Sequence, residues 1–563
     1  MGESGNGMAG IWRKLKLNSS KGDVDTPVAE FDYIIIGAGS AGCVLSDNLS
    51  RGGRHRVLVL EAGGSDQRFW IRTPIGYGRT FADPEFNWNY QTQADSGIDG
   101  RSSFWPRGRV VGGSSSINAL VYFRGLPSDF DDWRDQGATG WGWDGVLPYF
   151  ERSERRVDAD GSQHGQGPLF ISDVQSQLHS TCRYFFQAAE QMGLPITPDM
   201  NGANPEGVGF YRLTTRCGQR WSAADAFLRP SLGRGNVNLE TDAWVSRIRF
   251  EGRRAVGVDY LQGGQPRTAG AGCGIILSAG AVNSPQLLQL SGVGPGPTLS
   301  RFGIPVILDN AAVGGYLQDH LAITYSYRST ERTLNDELHG AWGKLRAGVR
   351  YLLTRRGPLA LSVNHAGGLV RAEPGAARAE FQLYYNPITY AAGEPDRRRI
   401  NPDAFSGFML SHQPSRPSSR GRIDIASPDF RDPPAIAPNY LSTDKDRQDV
   451  LIGARLLKRL ESTPAMRTFI AAAMSPALKD LDEAALLADF RARAGTVYHP
   501  VGTCRMGADP ATSVVDPSLK VHGIERLYVV DASVFPSITS ANTHAPTLMV
   551  AQKASDLILA QGP

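Results

Sequence analysis

A glycine-spaced turn between two apolar runs constrains this chain more than any other feature. Phe31 to Ile36 is rich in β-branched residues, as a strand buried on both faces requires. It runs into Gly37-Ala38-Gly39-Ser40-Ala41-Gly42, a helical stretch through Leu49, and a second apolar run from Arg56 to Leu60 that ends in Glu61. Together these predict a βαβ unit. Gly37 permits the tight turn, Gly39 lets backbone approach a pyrophosphate, and Gly42 lets helix pack closely on strand. The helix N-terminus at Ser40 and Ala41 then receives the phosphates. Glu61, nineteen residues past Gly42, is placed to accept hydrogen bonds from an unphosphorylated ribose diol. The unit alone does not separate a nicotinamide from a flavin dinucleotide, because both carry adenosine diphosphate.

A chain of 563 residues is long enough for its core to divide, so two intimately joined domains are expected. Basic and acidic residues nearly balance, for a net charge of +3, and the basic ones are scattered, which argues against a nucleic-acid partner. Cys43, Cys182, Cys217, Cys273 and Cys504 are few, odd in number and widely spaced. They fit a reducing compartment and, with no CxxC or Cys/His cluster, no metal. The first thirty residues lack a signal-peptide pattern and no stretch is long and apolar enough to span a bilayer, so the cytoplasm is the expected location. The run Ile11 to Leu17, basic and apolar, reads as a solvated tail, with peripheral contact to an anionic membrane surface as the alternative.

Further along, Asp158 to Gly167 reads as a surface loop and Gln413 to Arg422 as a connection. Asp446 to Leu460 has a helical apolar face of Val450, Leu451, Ala454, Leu457 and Leu460. Leu527 to Asp531 reads as a short buried strand, and Pro546 through Leu559 as a helix with proline in its first turn. These last two elements predict a return to the nucleotide domain.

Two longer patterns carry a resemblance. Gly108-Arg109-Val110-Val111-Gly112-Gly113-Ser114-Ser115-Ser116-Ile117-Asn118 and Gly280-Ala281-Val282-Asn283-Ser284-Pro285-Gln286, extended to Gly294 and followed by Tyr498-His499-Pro500-Val501-Gly502-Thr503-Cys504, resemble the signatures of the glucose-methanol-choline (GMC) oxidoreductases over roughly residues 31 to 560. The resemblance implies an α/β plus α+β architecture: a Rossmann-like, doubly wound FAD-binding domain beside a substrate domain built on an antiparallel sheet with helices. Residues 1–30 are then a tail. Residues 31–320 are mainly the FAD domain, with substrate-domain insertions at about 165–235. Residues 321–490 are mainly the substrate domain, and 491–563 return to the FAD domain. The small residues from Gly112 to Ser116 let backbone approach a flat ring and its phosphates. The resemblance places Arg109, Gly112, Gly113, Ser114, Asn118, Val245, Asp531, Ala532 and Asn542 at the cofactor. Some relatives carry a flavin-linked histidine where this chain has Ile117, so the FAD is expected to be noncovalent. The second signature reads as strand, turn and helix, with no chemistry assigned.

Oxidising an alcohol removes a proton from oxygen and a hydride from carbon, and a base of near-neutral pKa assists by about 10²–10⁴-fold. By resemblance His499 is the active-site histidine, acting as proton acceptor, and His544 in Asn542-Thr543-His544-Ala545-Pro546 is the second hydrogen-bonding group; the two roles are exchangeable at this stage. The helix after Pro546 points amides at the flavin's pyrimidine edge, and Asn542 is a candidate helix cap as well as a ring contact. A glutamate of choline-using relatives falls where this chain has His365, which disfavours a permanent cation and favours an uncharged primary alcohol. The expected acceptor is quinone-like, with oxygen as the alternative, and a nonredox flavin lyase as the rival of a different class.

Overall fold

The computed structural model describes residues 29–390 and 401–561; the run Ile11 to Leu17 lies outside them. The first strand, β1 (Ala29–Ile36), leads into helix α1 (Ser40–Ser50) and strand β2 (Val57–Leu60). β1 and β2 pair in parallel from Tyr33 opposite Val57 to Ile36 opposite Leu60. Ile34, Ile35 and all four β2 residues are buried to within 1% of their surface, and each such side chain stabilises the fold by roughly 1.5–3 kcal/mol relative to exposure.

Strands β3 (Val237–Glu240), β4 (Ala243–Glu251), β5 (Arg254–Gln262) and β6 (Gln265–Leu277) join the same sheet, and helix α2 (Gly280–Leu290) follows β6. The second signature, Gly280 to Gly294, is therefore not strand, turn and helix: it is helix α2 itself, then a turn and the short strand Val293–Gly294, because the preceding strand already ends at Leu277. A second, mostly antiparallel sheet begins at β7 (Leu321–Ser329). After helix α3 (Gly340–Thr354) come β8 (Ala366–Val370), β9 (Phe381–Asn386) and β10 (Gly407–Pro414). Helix α4 (Asp444–Glu461), β11 (Ile470–Ala473) and β12 (Gly495–Thr496) follow, and the chain closes with β13 (Leu527–Val529) and helix α5 (His544–Ala560).

The first sheet has the order β3-β2-β1-β6-β5-β4, with β13 pairing β6 in parallel. The second has the order β8-β9-β10-β7-β11, with β12 pairing β7. Val450, Ala454, Leu457 and Leu460 of α4 are buried and Leu451 packs against the same core from its edge. Only the tip of the segment Asp158 to Gly167 is a loop, because Glu154–Val157 and Gln163–His164 pair as a hairpin around it.

Helix α5 starts two residues before Pro546, at His544. Proline is tolerated there because amides of a helix's first turn have no intrahelical partner. The helix lies along α1, where Asn48 Nδ2 donates to Gln552 Oε1 at 2.8 Å and to Ser555 Oγ at 3.2 Å. The packing places the N-termini of both helices on one cavity. The N-cap is Thr543 and not Asn542, and it makes no side-chain capping bond.

Candidate active site

A cavity of about 980 Å³ runs between the two sheets. At one end it is bounded by the glycine turn, where Gly37, Gly39, Ser40 and Ala41 line it together with Glu61 and Val245. Gly113 comes so close to Gly39 that a Cβ on it would lie 2.7 Å from the Gly39 Cα, and its φ of +54° also suits glycine. Neither N-cap residue, Gly39 of α1 or Thr543 of α5, supplies a side-chain capping bond. The first-turn amides of two helices therefore open on the cavity as donors for anionic groups.

Glu61 Oε2 accepts from Ala38 N–H and Oε1 from Gly63 N–H, both at 2.9 Å. Burial pushes its carboxyl up to about 7 against those bonds. Asp531 accepts from Gly280 N–H at 2.8 Å, Ser284 Oγ at 2.6 Å and Ser533 N–H at 2.8 Å, which ties the end of β13 to the start of α2. Ser278 Oγ, Asn89 Oδ1 and Asn542 Oδ1 are buried on the cavity wall without a protein partner. Glycine contacts, two open helix ends and unpartnered polar atoms fit an elongated diphosphate with a polar ring system.

His499 faces the middle of this cavity. Tyr498, before it, has a φ of +68°, a conformation costly for a side chain of that size. Its N–H donates to Thr496 Oγ1 at 2.8 Å and its carbonyl accepts from Arg107 Nη2 at 2.6 Å, which hold the turn. His499 N–H donates to Asp319 Oδ1 at 2.8 Å, and Asp319 Oδ2 accepts from the Tyr440 and Thr496 hydroxyls, each at 2.6 Å.

The ring of His499 lies between two partners. Nδ1 is 3.0 Å from Nδ1 of His320, and Nε2 is 3.2 Å from Nδ2 of Asn542. His320 Nε2 lies 2.8 Å from the Ser415 carbonyl, which can only accept, so His320 carries its proton there. Burial pulls His320 down to about 4, so it is neutral and its Nδ1 is an acceptor. His499 must then donate from Nδ1, which leaves an unprotonated Nε2 on the cavity side. Burial first, then the neighbouring His320 and Arg107, hold His499 well below the usual histidine range.

His544 does not touch His499; its Nδ1 is 3.1 Å from Ser40 Oγ, and burial pulls it down to about 4. Ser114, Asn118, Ala532 and Asn542 line the cavity. Gly42, Arg109 and Gly112 do not. A Cβ on Gly42 would meet the Gly37 carbonyl at 1.9 Å, and Gly112 packs on the Ser116 hydroxyl. Arg109 donates to the Pro84 carbonyl and lies near the Trp88 and Trp244 rings, where its charge lowers the Glu61 pKa.

The sequence left out several participants. Ala281, Val282 and Asn283 of the second signature line the cavity, as does Arg107. His320 and Asp319 lie outside both signatures. The second sheet contributes a cross-strand row of Thr324, Ser411 and Tyr384, with the two hydroxyls of Thr324 and Ser411 2.8 Å apart. His365 is off the cavity, its Nδ1 accepting from His179 N–H at 3.1 Å, and the neighbour that lines the wall is Asn364. Among the described residues the carboxylates on the cavity are Glu61 and Asp531, both at the nucleotide end.

Known proteins are similar to this chain over most of its length. The family description GMC oxidoreductase matches residues 31–322 with its N-terminal part and residues 417–551 with its C-terminal part. Human mitochondrial choline dehydrogenase is 40% identical over 545 residues, covering 94% of this chain and 90% of its own. Alcohol dehydrogenase [acceptor] of Pseudomonas putida is 40% identical over 538 residues, covering 94% and 96%. The crystal structure of pyridoxine 4-oxidase from Mesorbium loti superposes with a TM-score of 0.83 at 30% identity, covering 93% and 98%.

Proposed function

We propose, from the premise that this chain belongs to the GMC oxidoreductase family and is an FAD-dependent oxidoreductase of alcohol CH–OH groups, that it oxidises an uncharged primary alcohol to the aldehyde with His499 as base. When bound, FAD supplies the hydride acceptor. The turn at Gly37 to Ala41, Glu61 and Gly113 would hold its adenosine diphosphate half, and the N-terminus of α5 with Asn542 its ring.

The observation that carries the reading is the unprotonated Nε2 of His499 on the cavity wall. A substrate hydroxyl replacing the Asn542 amide at that nitrogen gives up its proton to Nε2, and the resulting imidazolium keeps its Nδ1 bond to His320. Asn542 Nδ2 then donates to the substrate oxygen and holds the developing alkoxide. His544, held to Ser40 Oγ at 3.1 Å and lining the same cavity, is the second hydrogen-bonding group for the substrate oxygen. Among the described residues the end of the cavity away from the nucleotide turn carries no carboxylate, and the Arg107 guanidinium is on the wall, a lining that disfavours a permanent cation such as choline.

A quinone-like acceptor is preferred over oxygen; the name of the Pseudomonas putida relative says only that it uses an acceptor. The test is an anaerobic visible spectrum of the holoenzyme during titration with aliphatic and aromatic primary alcohols, followed by a quinone-like dye or oxygen. Bleaching by an alcohol, reversed faster by the dye, is the expected result. Reversal by oxygen alone would make it an oxidase, and a band that no alcohol bleaches, while dithionite does, would sink the alcohol reading.

A further inference from the structure

Helix α3 (Gly340–Thr354) turns its apolar side the wrong way for a helix of a water-bathed surface. Only Ala347 and Tyr351 are buried, and Ala347 packs into a small cluster with Leu334, Leu338 and Val363. On the opposite face Trp342, Leu345, Val349, Leu352 and Leu353 point outward, with Trp342 83% and Leu353 79% exposed. Their spacing of i, i+3, i+7, i+10 and i+11 puts all five on one stripe. Phe69, also exposed, extends the patch at the C-terminal end, where its ring is 6.5 Å from that of Tyr351. A single exposed leucine needs no explanation, but five large apolar side chains in one stripe mark an interaction surface.

The charges around the stripe identify the partner. Lys344, Arg346, Arg350, Arg355 and Arg356 lie within seventeen residues that contain no acidic residue, from Gly340 to Arg356. At 100° per residue Arg346 and Arg350 fall on one flank of the stripe, while Lys344, exposed, falls beside Tyr351 on the other side of the helix. Apolar centre, tryptophan and a basic flank are what a helix needs to lie in the headgroup layer of an anionic bilayer, its arginine stems reaching up to the phosphates. No described helix is long and apolar enough to cross a membrane.

We infer that α3 is an interfacial helix that docks this enzyme on an anionic lipid surface. The helix backs onto a wall of the cavity, since Val363 and Tyr77 belong to the cluster beneath it and also line the cavity. Docking therefore seats the site beside the bilayer, within reach of molecules dissolved in it.

The test is co-sedimentation of the full-length, FAD-loaded protein with vesicles of phosphatidylglycerol and phosphatidylcholine. The protein is expected to pellet with them, less so with phosphatidylcholine alone and less at high salt. The double variant L345E/L353E changes two solvent-facing residues outside the site. It is expected to keep the flavin spectrum and turnover with a soluble dye, while its vesicle partition falls about tenfold or more. R346E/R350E, a gentler change, should abolish the salt-sensitive part. Undiminished binding by L345E/L353E, or a parent protein that stays in the supernatant, would overturn the inference. So would a parent dimer in analytical ultracentrifugation that L345E/L353E turns into monomer without any vesicle binding, which would assign the stripe to a second copy of the chain.

Discussion

His320 and His499 meet Nδ1 to Nδ1 at 3.0 Å, and because the far nitrogen of His320 is spent on the Ser415 carbonyl at 2.8 Å, the proton between the rings belongs to His499. A residue that need never touch substrate thereby sets which nitrogen of the base is free. Replacing His320 by alanine leaves His499 Nδ1 without its acceptor and its tautomer unspecified. Flavin reduction by alcohol should slow by about 10–100-fold, as for other groups that orient a reactive imidazole, with the flavin spectrum unchanged. Stopped-flow reduction of the variant at parent-like rates would refute this role.

The pH dependence follows from the depressed pKa of His499. The neutral ring is the base, and the environment favours that form, so kcat/KM should be lost only on the acid side, with a limb below pH 6.5 and a plateau above pH 7. In His320→Ala the limb should move up toward the ordinary histidine value, because the neighbouring ring is one of the causes of the depression. Initial rates measured from pH 5 to 9 decide both points, and a parent limb above pH 7 would contradict them.

Gly113→Ala tests the cofactor cradle. The added methyl lands 2.7 Å from the Gly39 Cα and on a left-handed backbone. The variant should fold, with parent-like circular dichroism, yet its flavin-to-protein absorbance ratio should drop severalfold. Full flavin occupancy would show that the turn tolerates what the geometry forbids.

Asn364→Asp adds a carboxylate to the substrate end of the cavity at almost no change in shape. The ratio of kcat/KM for choline to that for benzyl alcohol should rise by about tenfold, equivalent to about 1.4 kcal/mol. An unchanged ratio would mean that substrate charge is not read at this wall.

Away from the site, Arg124 and Glu154 form a buried pair, with Arg124 Nε 2.6 Å from Glu154 Oε1 and the Tyr122 hydroxyl on the same oxygen at 2.7 Å. Arg124→Ala strands the carboxylate and should cost about 3–5 kcal/mol in denaturant unfolding. The pair replacement R124M/E154L should recover most of it, because the expense lies in an uncompensated charge.

Local pattern was enough for the parts of this protein that are contiguous in the chain. The βαβ unit follows from three spaced glycines between two apolar runs, and α4 and α5 from their periodicity and punctuation. His499 and His544 stood out because each sits in a recognisable short pattern. Tertiary structure decided what depends on contact between distant segments. His320 reaches His499 across 179 positions, a pairing that no spacing encodes. Asn542, not His544, stands at the free nitrogen of His499, because α5 begins at His544 and its first turn carries that ring toward Ser40. Asn364 and not His365 is on the cavity wall because the His365 ring is drawn away into the interior, where its Nδ1 accepts from the His179 N–H at 3.1 Å. The outward apolar stripe of α3 shows the same division: its periodicity is written in the sequence, but only the packing of Ala347 and Tyr351 reveals which face the protein itself uses.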